Sequence, residues 1–423
     1  MKDVSKVTAM VVDLGIFVEN ARILGQHMKK VYYCNPSWVT SFPRLNENWI
    51  GKGFPEIEVV DSPFDHFEDV DLYCFFDVGH GEMQVWLEEM GKKVWGCRRG
   101  EKFEFDRVGL KKLMAKKGLD VGPYKHLKGM DALRGYLKYH EDQFVKIGKY
   151  RGMFETFRSP SYNIVEPVLD DLESNLGKFK ECVEFCVEEE LKDRFEVAVD
   201  AYNVDGDLPS CMLYGVEIKD KGYVGKFTPY SAIPECLKKF DKVMAPEFER
   251  VGFKSFYSPE MRVGRDKKAY MIDLCARSPS PPNELYQVFY KNLAEIVWKG
   301  ANGVCVDPDP VDVWGAEILI HSSWACDKWA AVEFPKEIAH LVKLRNGVRI
   351  DGKNYAMPQV GKMPEIGAVV GWGSSMDAAV NMALEVADQV DGYFIDIPRD
   401  SLEDAKVEID KAKSFGVWLK EGK

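Results

Sequence analysis

The stretch from Ala269 to Pro282, AYMIDLCARSPSPP, sets an acid, a thiol and a guanidinium at alternate positions, Asp273, Cys275 and Arg277, and then stops at a proline-rich turn. The strand period of two puts these three side chains on one face. Thirteen positions before Asp273, across the polar turn RDKK, Glu260 lies on a second strand-like run, SFYSPEMRVG. Folded as an antiparallel hairpin, the two runs bring Glu260 and Asp273 to the same spot. Two carboxylates on one face repel unless a cation sits between them. Magnesium meets that demand, because it takes oxygen ligands and is held by one or two carboxylates plus substrate phosphates; manganese is the alternate metal. Arg277 beside it would grip a phosphate in the bidentate way that lysine cannot. The competing account is a surface strand whose acids pair with Arg262 and Arg265.

Other cations stand at element ends, where a polyphosphate could be gripped. Arg107 opens the basic helix DRVGLKKLMAKKG, and Lys146 ends the apolar strand DQFVKIG; the plainer account of Lys146 is a snorkelling side chain. In IGKYRGMF, Gly148 and Gly152 flank Lys149 and Arg151, a loop able to close over phosphates with backbone N–H groups and positive charge. Glu188, Glu189 and Glu190, followed by Leu191, end the run VEFCVEEEL with no basic run nearby, either as a solvated strand end or as a site for adenine or ribose. Gly79, His80 and Gly81 end another strand, where open α/β sheets bind ligands. A plain turn that needs glycine's backbone freedom would look the same.

These groups must be placed by the elements between them. The first hundred residues alternate strand-like runs (VTAMVVDLG, KKVYYCNP, DLYCFFDVGHG) with helix-like ones, the mark of parallel βαβ layering. Further on, VEFCVEEEL and RFEVAVDAYNVDG are expected to pair as strands, with MLYGVEI and GYVGKF as antiparallel neighbours. The two Asp-Pro pairs of VCVDPDPVDVWG suggest a linker. A closing strand, helix and strand follow in IGAVVGWGSSMDAAVNMALEVADQV and DGYFIDIP.

At 423 residues and 46% apolar composition, the chain can fill more than one core, so two or three domains are expected. It has no uncharged apolar run of about 18 residues and no signal-like h-region, which predicts a soluble, cytoplasmic protein without a membrane partner. Ten cysteines without any CxxC read as reduced, mostly buried thiols, Cys182 and Cys186 having helical spacing. A net charge of -11 disfavours a nucleic-acid partner. The absence of GxGxxG after the first strand counts against a nicotinamide-binding oxidoreductase.

Taken in order, the α/β start, the cation-bearing helix, VK with a glycine-containing loop, the VEEE strand and the acid-x-x-x-Arg strand resemble the ATP-grasp ligases. Within that superfamily the likeness is to phosphoribosylamine-glycine ligases, and it spans nearly the whole chain. The resemblance implies an α/β and α+β architecture: a Rossmann-like domain at 1–98, an ATP-grasp domain at 99–306 with a lid inserted at about 112–190, and a small α+β domain at 307–423. It implies ATP with Mg²⁺, or Mn²⁺, held by Arg107, Lys146, Lys149, Gly152, Glu188, Glu189, Glu190 and Leu191, with Glu260 and Asp273 as metal ligands. Arg277 and Lys146 would act on the transferring phosphoryl group. Gly79, His80, Gly81, Arg277 and Ser278 would meet the substrates, a small carboxylate and a small amine, in a monomer or homodimer. Cys275 stands where that family usually has asparagine, and Asp273 where it has glutamate. Two other outcomes are a ligase of the same kind that joins an amino acid to a modified nucleotide, and a catalytically silent nucleotide-binding protein.

Overall fold

The computed structural model describes residues 1–36, 49–148, 155–359 and 363–419. Five parallel strands open the chain, in the spatial order Glu58–Val60, Lys30–Cys34, Thr8–Val12, Leu72–Cys74 and Lys93–Trp95. The central strand Thr8–Val12 is buried at every position, which is why TAMVV is apolar after its first residue and does not alternate. Strand order reverses between Thr8–Val12 and Leu72–Cys74. At such a switch point a crevice opens beyond the carboxyl ends; here those ends continue into Asp13 and Asp77.

A four-stranded antiparallel sheet follows, in the order Tyr124–Lys128, Glu184–Glu189, Gln143–Ile147 and Thr156–Ser159. Helices Met130–Leu137 and Tyr162–Leu176 close a core of their own with it, around Leu133, Val145, Leu169 and Phe185.

Apart from a small, separate antiparallel sheet of Gly347–Ile350, Lys353–Ala356, Ala330–Glu333 and Asp391–Gly392, most of the remaining chain is organised on a nine-stranded sheet. Its path runs Ala269–Cys275, Lys254–Val263, Phe195–Val204, Cys211–Ile218, Gly222–Pro229, Trp314–Ser322, Glu365–Gly373 and Val342–Leu344, with Ile395–Asp396 pairing Trp314–Ser322. The Asp-Pro segment is irregular, but the sheet continues across it: Gly222 to Lys226 pair antiparallel with Ile318 to Trp314.

The structure corrects one expected pairing. VEFCVEEEL lies in the four-stranded sheet and RFEVAVDAYNVDG in the nine-stranded one. Their apolar faces fill different cores, Phe185 and Val187 in one and Phe195, Val197 and Val199 in the other. The short connection between them turns through Asp193, at φ +56°. The cysteines differ in two respects as well. All ten are free, but only Cys34, Cys74, Cys97 and Cys186 are buried and Cys182 is exposed. Cys186 sits in a strand, so it and Cys182 do not share a helix. No helix among the described residues is long and apolar enough to cross a membrane.

Candidate active site

The hairpin register places Glu260 directly opposite Asp273, with a β-bulge between Glu260 and Met261. A bulge bends its strand and re-aims the side chains beside it. Asp273 is buried and Glu260 half-buried.

Two cations meet at Asp273. Asp106 caps the helix Arg107–Lys116 by accepting the Gly109 N–H at 2.8 Å, which fixes Arg107 in the first turn. Arg107 Nε lies 3.2 Å from Asp273 Oδ2, and its Nη2 lies 2.6 Å from Glu155 Oε1. From the strand Gln143–Ile147, Lys146 Nζ reaches to 3.4 Å from the same Oδ2, sits 3.2 Å from Glu188 Oε1 and donates to Ile272 O at 3.0 Å. At 4% exposure Lys146 is no snorkelling side chain.

Charge in the cluster is polarised. Burial pulls the Asp273 carboxyl upward, but Arg107 and then Lys146 more than offset this and hold it below the usual carboxylate range. Across the hairpin, burial first and the Asp273 charge second push the Glu260 carboxyl well above its usual range. Burial lowers Lys146, and Asp273 and Glu188 outweigh it, so the ammonium stays protonated. Burial drives the Cys275 thiol well above its ordinary value, so sulfur there is a neutral thiol.

The acidic run Glu188–Glu190 is more than a solvated strand end, and its expected lack of basic partners does not hold. Lys111 Nζ donates to Glu188 Oε2 at 2.8 Å and to Met271 O at 2.6 Å, and Arg158 Nη2 donates to Glu190 Oε2 at 2.9 Å. Glu188 is buried, whereas Glu189 is exposed and Leu191 half-buried.

Between the four-stranded and nine-stranded sheets lies a cleft of about 900 Å³. Its walls bring together Arg107, Lys146, Glu188, Glu189, Leu191, Glu260 and Asp273. A space of this size suits a nucleotide. Lys149 and Gly152, expected over the phosphates, lie outside the described residues.

The remaining expected residues form a second group, at the carboxyl edge of the parallel sheet. Arg277 Nε lies 3.1 Å from Glu104 Oε1 and 3.5 Å from Asp77 Oδ1. The Ser278 N–H donates to Phe76 O at 2.9 Å, and the N–H groups of Gly79 and Gly81 both donate to Glu101 Oε2 at 2.9 Å. His80 is half-buried between them.

Sequence reasoning missed Lys111, Glu155 and Glu104. Lys111 follows Arg107 by one helical turn, so its place on the same buried face was signalled. Glu104 meets Arg277 from 173 positions away, and nothing local announces that contact.

A metal at the hairpin is compatible with the donors present. Among the described residues no hydrogen bond or ion pair reaches the Glu260 carboxyl, and no group of three or more His, Cys, Asp or Glu side chains could hold an ion alone. Two facing carboxylates, with the remaining positions left to phosphate and water, are what magnesium commonly takes.

No family model and no curated protein sequence matches the chain. Solved structures do. Phosphoribosylamine–glycine ligase from Thermotoga maritima superposes with a TM-score of 0.69 at 15% identity, over 93% of this chain and 100% of that one. Biotin carboxylase from Campylobacter jejuni, in complex with an ATP analogue, gives 0.64 at 12% identity over 98% of each chain. The biotin carboxylase domain of 2-oxoglutarate carboxylase from Hydrogenobacter thermophilus, with MgADP, ADP and bicarbonate, gives 0.63 at 9% identity over 98% and 99%. The fold of this chain is therefore the ATP-grasp ligase fold, along nearly its whole length.

Proposed function

We propose that the protein is an ATP-dependent carboxylate–amine ligase, with the nucleotide in the cleft between the four-stranded and nine-stranded sheets. One observation carries this reading: Arg107 and Lys146 converge on the buried Asp273, opposite an unpartnered Glu260, at the wall of that cleft. A structural ion pair would need one cation, and it would not set a second carboxylate against the first. Such an arrangement suits a polyanion delivered together with a divalent cation.

In this reading Glu188, Glu189 and Leu191 flank the base and ribose, and Arg107 and Lys146 hold the phosphates. Glu260 and Asp273 would hold magnesium, which supplies charge neutralisation between the phosphates. The γ-phosphoryl group passes to a carboxylate oxygen of the first substrate, releasing ADP and leaving an acyl phosphate. The amine nitrogen of the second substrate then attacks the acyl carbon, inorganic phosphate departs, and the nitrogen loses a proton. Lys146 and Arg107 stabilise charge on the transferring group, which is the larger part of catalysis in phosphoryl transfer. Arg277, held by Glu104 and Asp77, stands toward the substrate edge and orients the reacting carboxylate.

Titration calorimetry with ATP, with and without magnesium, tests the reading on the wild type and on Asp273→Ala. Magnesium-dependent binding that disappears in the variant is expected. Binding that ignores both magnesium and the substitution would leave a silent nucleotide-binding protein, and no binding to the wild type would overturn the ligase reading.

A further inference from the structure

The crevice at the switch point of the parallel sheet has chemistry distinct from the nucleotide cleft. Loop amides and helix starts at such an edge ordinarily make a site for a phosphate. Here this chain's own carboxylates fill them. Ahead of the helix Val18–His27, Asp13 Oδ2 accepts the N–H groups of Gly15 and Phe17, each at 2.9 Å, and the Tyr33 hydroxyl at 2.7 Å. Ahead of the helix Gly81–Glu89, Glu101 Oε2 takes the amides of Gly79 and Gly81. Arg277, next to Ser278 at this edge, is flanked by Glu104 and Asp77. Arg345, beside Asn346, is matched by Glu284 at 2.7 Å.

What is left over among the described residues is mostly acceptor capacity, beside one unpartnered N–H donor, the Asn35 Nδ2 at the end of the neighbouring strand. Asp13 is 2% exposed, and its Oδ1 has no hydrogen-bond partner among the described residues. The same is true of the Oγ of Ser278 and the Oδ1 of Asn346, both fully or almost fully buried. Asp13 directly follows one strand at the switch, and backbone bonds tie the other two to the segments that leave the two strands: Ser278 N–H to Phe76 O, and Asn346 N–H to Gly15 O at 2.8 Å. Asp13 and Asp77 are close enough for their charges to oppose each other. Buried oxygens without donors are costly unless a ligand supplies the protons. Over Gly79, at φ +109°, an added Cβ would meet nothing within 4 Å, so this edge is uncovered at the Gly79 turn.

We infer that the amine substrate binds at this crevice as a cation that carries no phosphate group. The N–H donors of an ammonium would satisfy Asp13 Oδ1, Asn346 Oδ1 and Ser278 Oγ, while a phosphate would meet carboxylates at the loop amides and at Arg277 and Arg345, with the Asn35 amide as the one free N–H donor there among the described residues. Naming the bound molecule the second substrate rests on the ligase reading; the cation site itself does not.

The test titrates the full chain with 1,4-diaminobutane and, separately, with ribose 5-phosphate, each with and without magnesium and a non-hydrolysable ATP analogue. The wild type is expected to bind the diamine and not the sugar phosphate. Asp13→Asn should weaken diamine binding by about tenfold or more. Glu101→Ala, which uncovers the amides of Gly79 and Gly81, should gain affinity for ribose 5-phosphate, and it keeps the inference testable if Asp13→Asn does not fold. Ribose 5-phosphate bound by the wild type, or no diamine bound, overturns the inference. Binding of the ATP analogue is scored independently, so a wild type that takes the diamine and ignores the nucleotide would refute the ligase reading alone.

Discussion

Glu260 and Asp273 face each other as register partners across one hairpin, yet their carboxyls lean in opposite directions, Asp273 toward the ionised form and Glu260 toward the protonated one. Burial raises both; at Asp273 the ion pairs with Arg107 and Lys146 outweigh it, whereas at Glu260 the Asp273 charge adds to it. Glu260→Gln should therefore have two effects of opposite sign. Without metal the variant should be as stable as the wild type or more so, by about 1 kcal/mol, since a carboxyl that must take up a proton on folding is replaced by a neutral amide. Its extra thermal stabilisation by ATP with magnesium should be largely lost. Melting curves with and without both ligands check this, and a variant still fully stabilised by them would exclude Glu260 as a metal ligand.

Cys275 is expected to weaken the metal site. Its thiol is held protonated by burial and donates to Arg277 O at 3.7 Å, and sulfur is a poor partner for magnesium. Cys275→Asn introduces an oxygen donor on the same face. The magnesium concentration at half-maximal ATP binding should fall, by about threefold to tenfold for one added oxygen ligand. An unchanged midpoint would mean that position 275 does not face the ion.

Lys111 ties the helix Arg107–Lys116 to Glu188 and to the backbone of Met271 at once. Lys111→Met leaves Glu188 with Lys146 alone in a buried setting, and breaking such a pair costs about 3–5 kcal/mol. Urea unfolding should show that loss. Lys111→Arg, which keeps the charge, should recover only part of it because the site is built around a single nitrogen.

Asp241 offers a pH test away from the site. Burial, partly offset by hydrogen bonds from Tyr257 and Tyr230, raises its carboxyl to about 6. A folded-state pKa above the unfolded one stabilises the protonated form, so the contribution is complete below about pH 4 and is lost as pH rises through 6. Relative to the wild type, Asp241→Asn should gain about 2–3 kcal/mol between pH 4 and pH 8. Denaturant titrations of both proteins at the two pH values measure it; a constant difference would show that Asp241 keeps an ordinary pKa.

Much of the hairpin was legible because strand geometry is simple. A period of two and a short turn are enough to put Glu260 across from Asp273, and the hairpin pairs them so. Lys146 was legible in type and place but not in burial, since its partners Asp273 and Glu188 come from other strands. The four-stranded sheet was harder. Its edge strand Tyr124–Lys128 has the weak pattern YKHLK, three of whose five residues are exposed, and it pairs with a segment some sixty positions later. The false pairing of 184–189 with 195–204 arose because neighbours in sequence are the natural first guess, and only the division of their apolar faces between two cores overrules it. The satisfied amides of Gly79 and Gly81 were beyond any reading of GHG, because the group that fills them, Glu101, lies beyond another helix and strand.

The ladder between Gly222–Pro229 and Trp314–Ser322 bears on how the protein can be shortened. Ending the chain at the Asp-Pro segment would strip Gly222–Pro229 of its neighbour and bare a row of peptide groups along a mostly buried, apolar strand. Exposed edges of that kind recruit other chains. A truncated product would be prone to precipitate, and the same vulnerability would attend synthesis, during the interval when residues 222–229 have emerged and their partner has not.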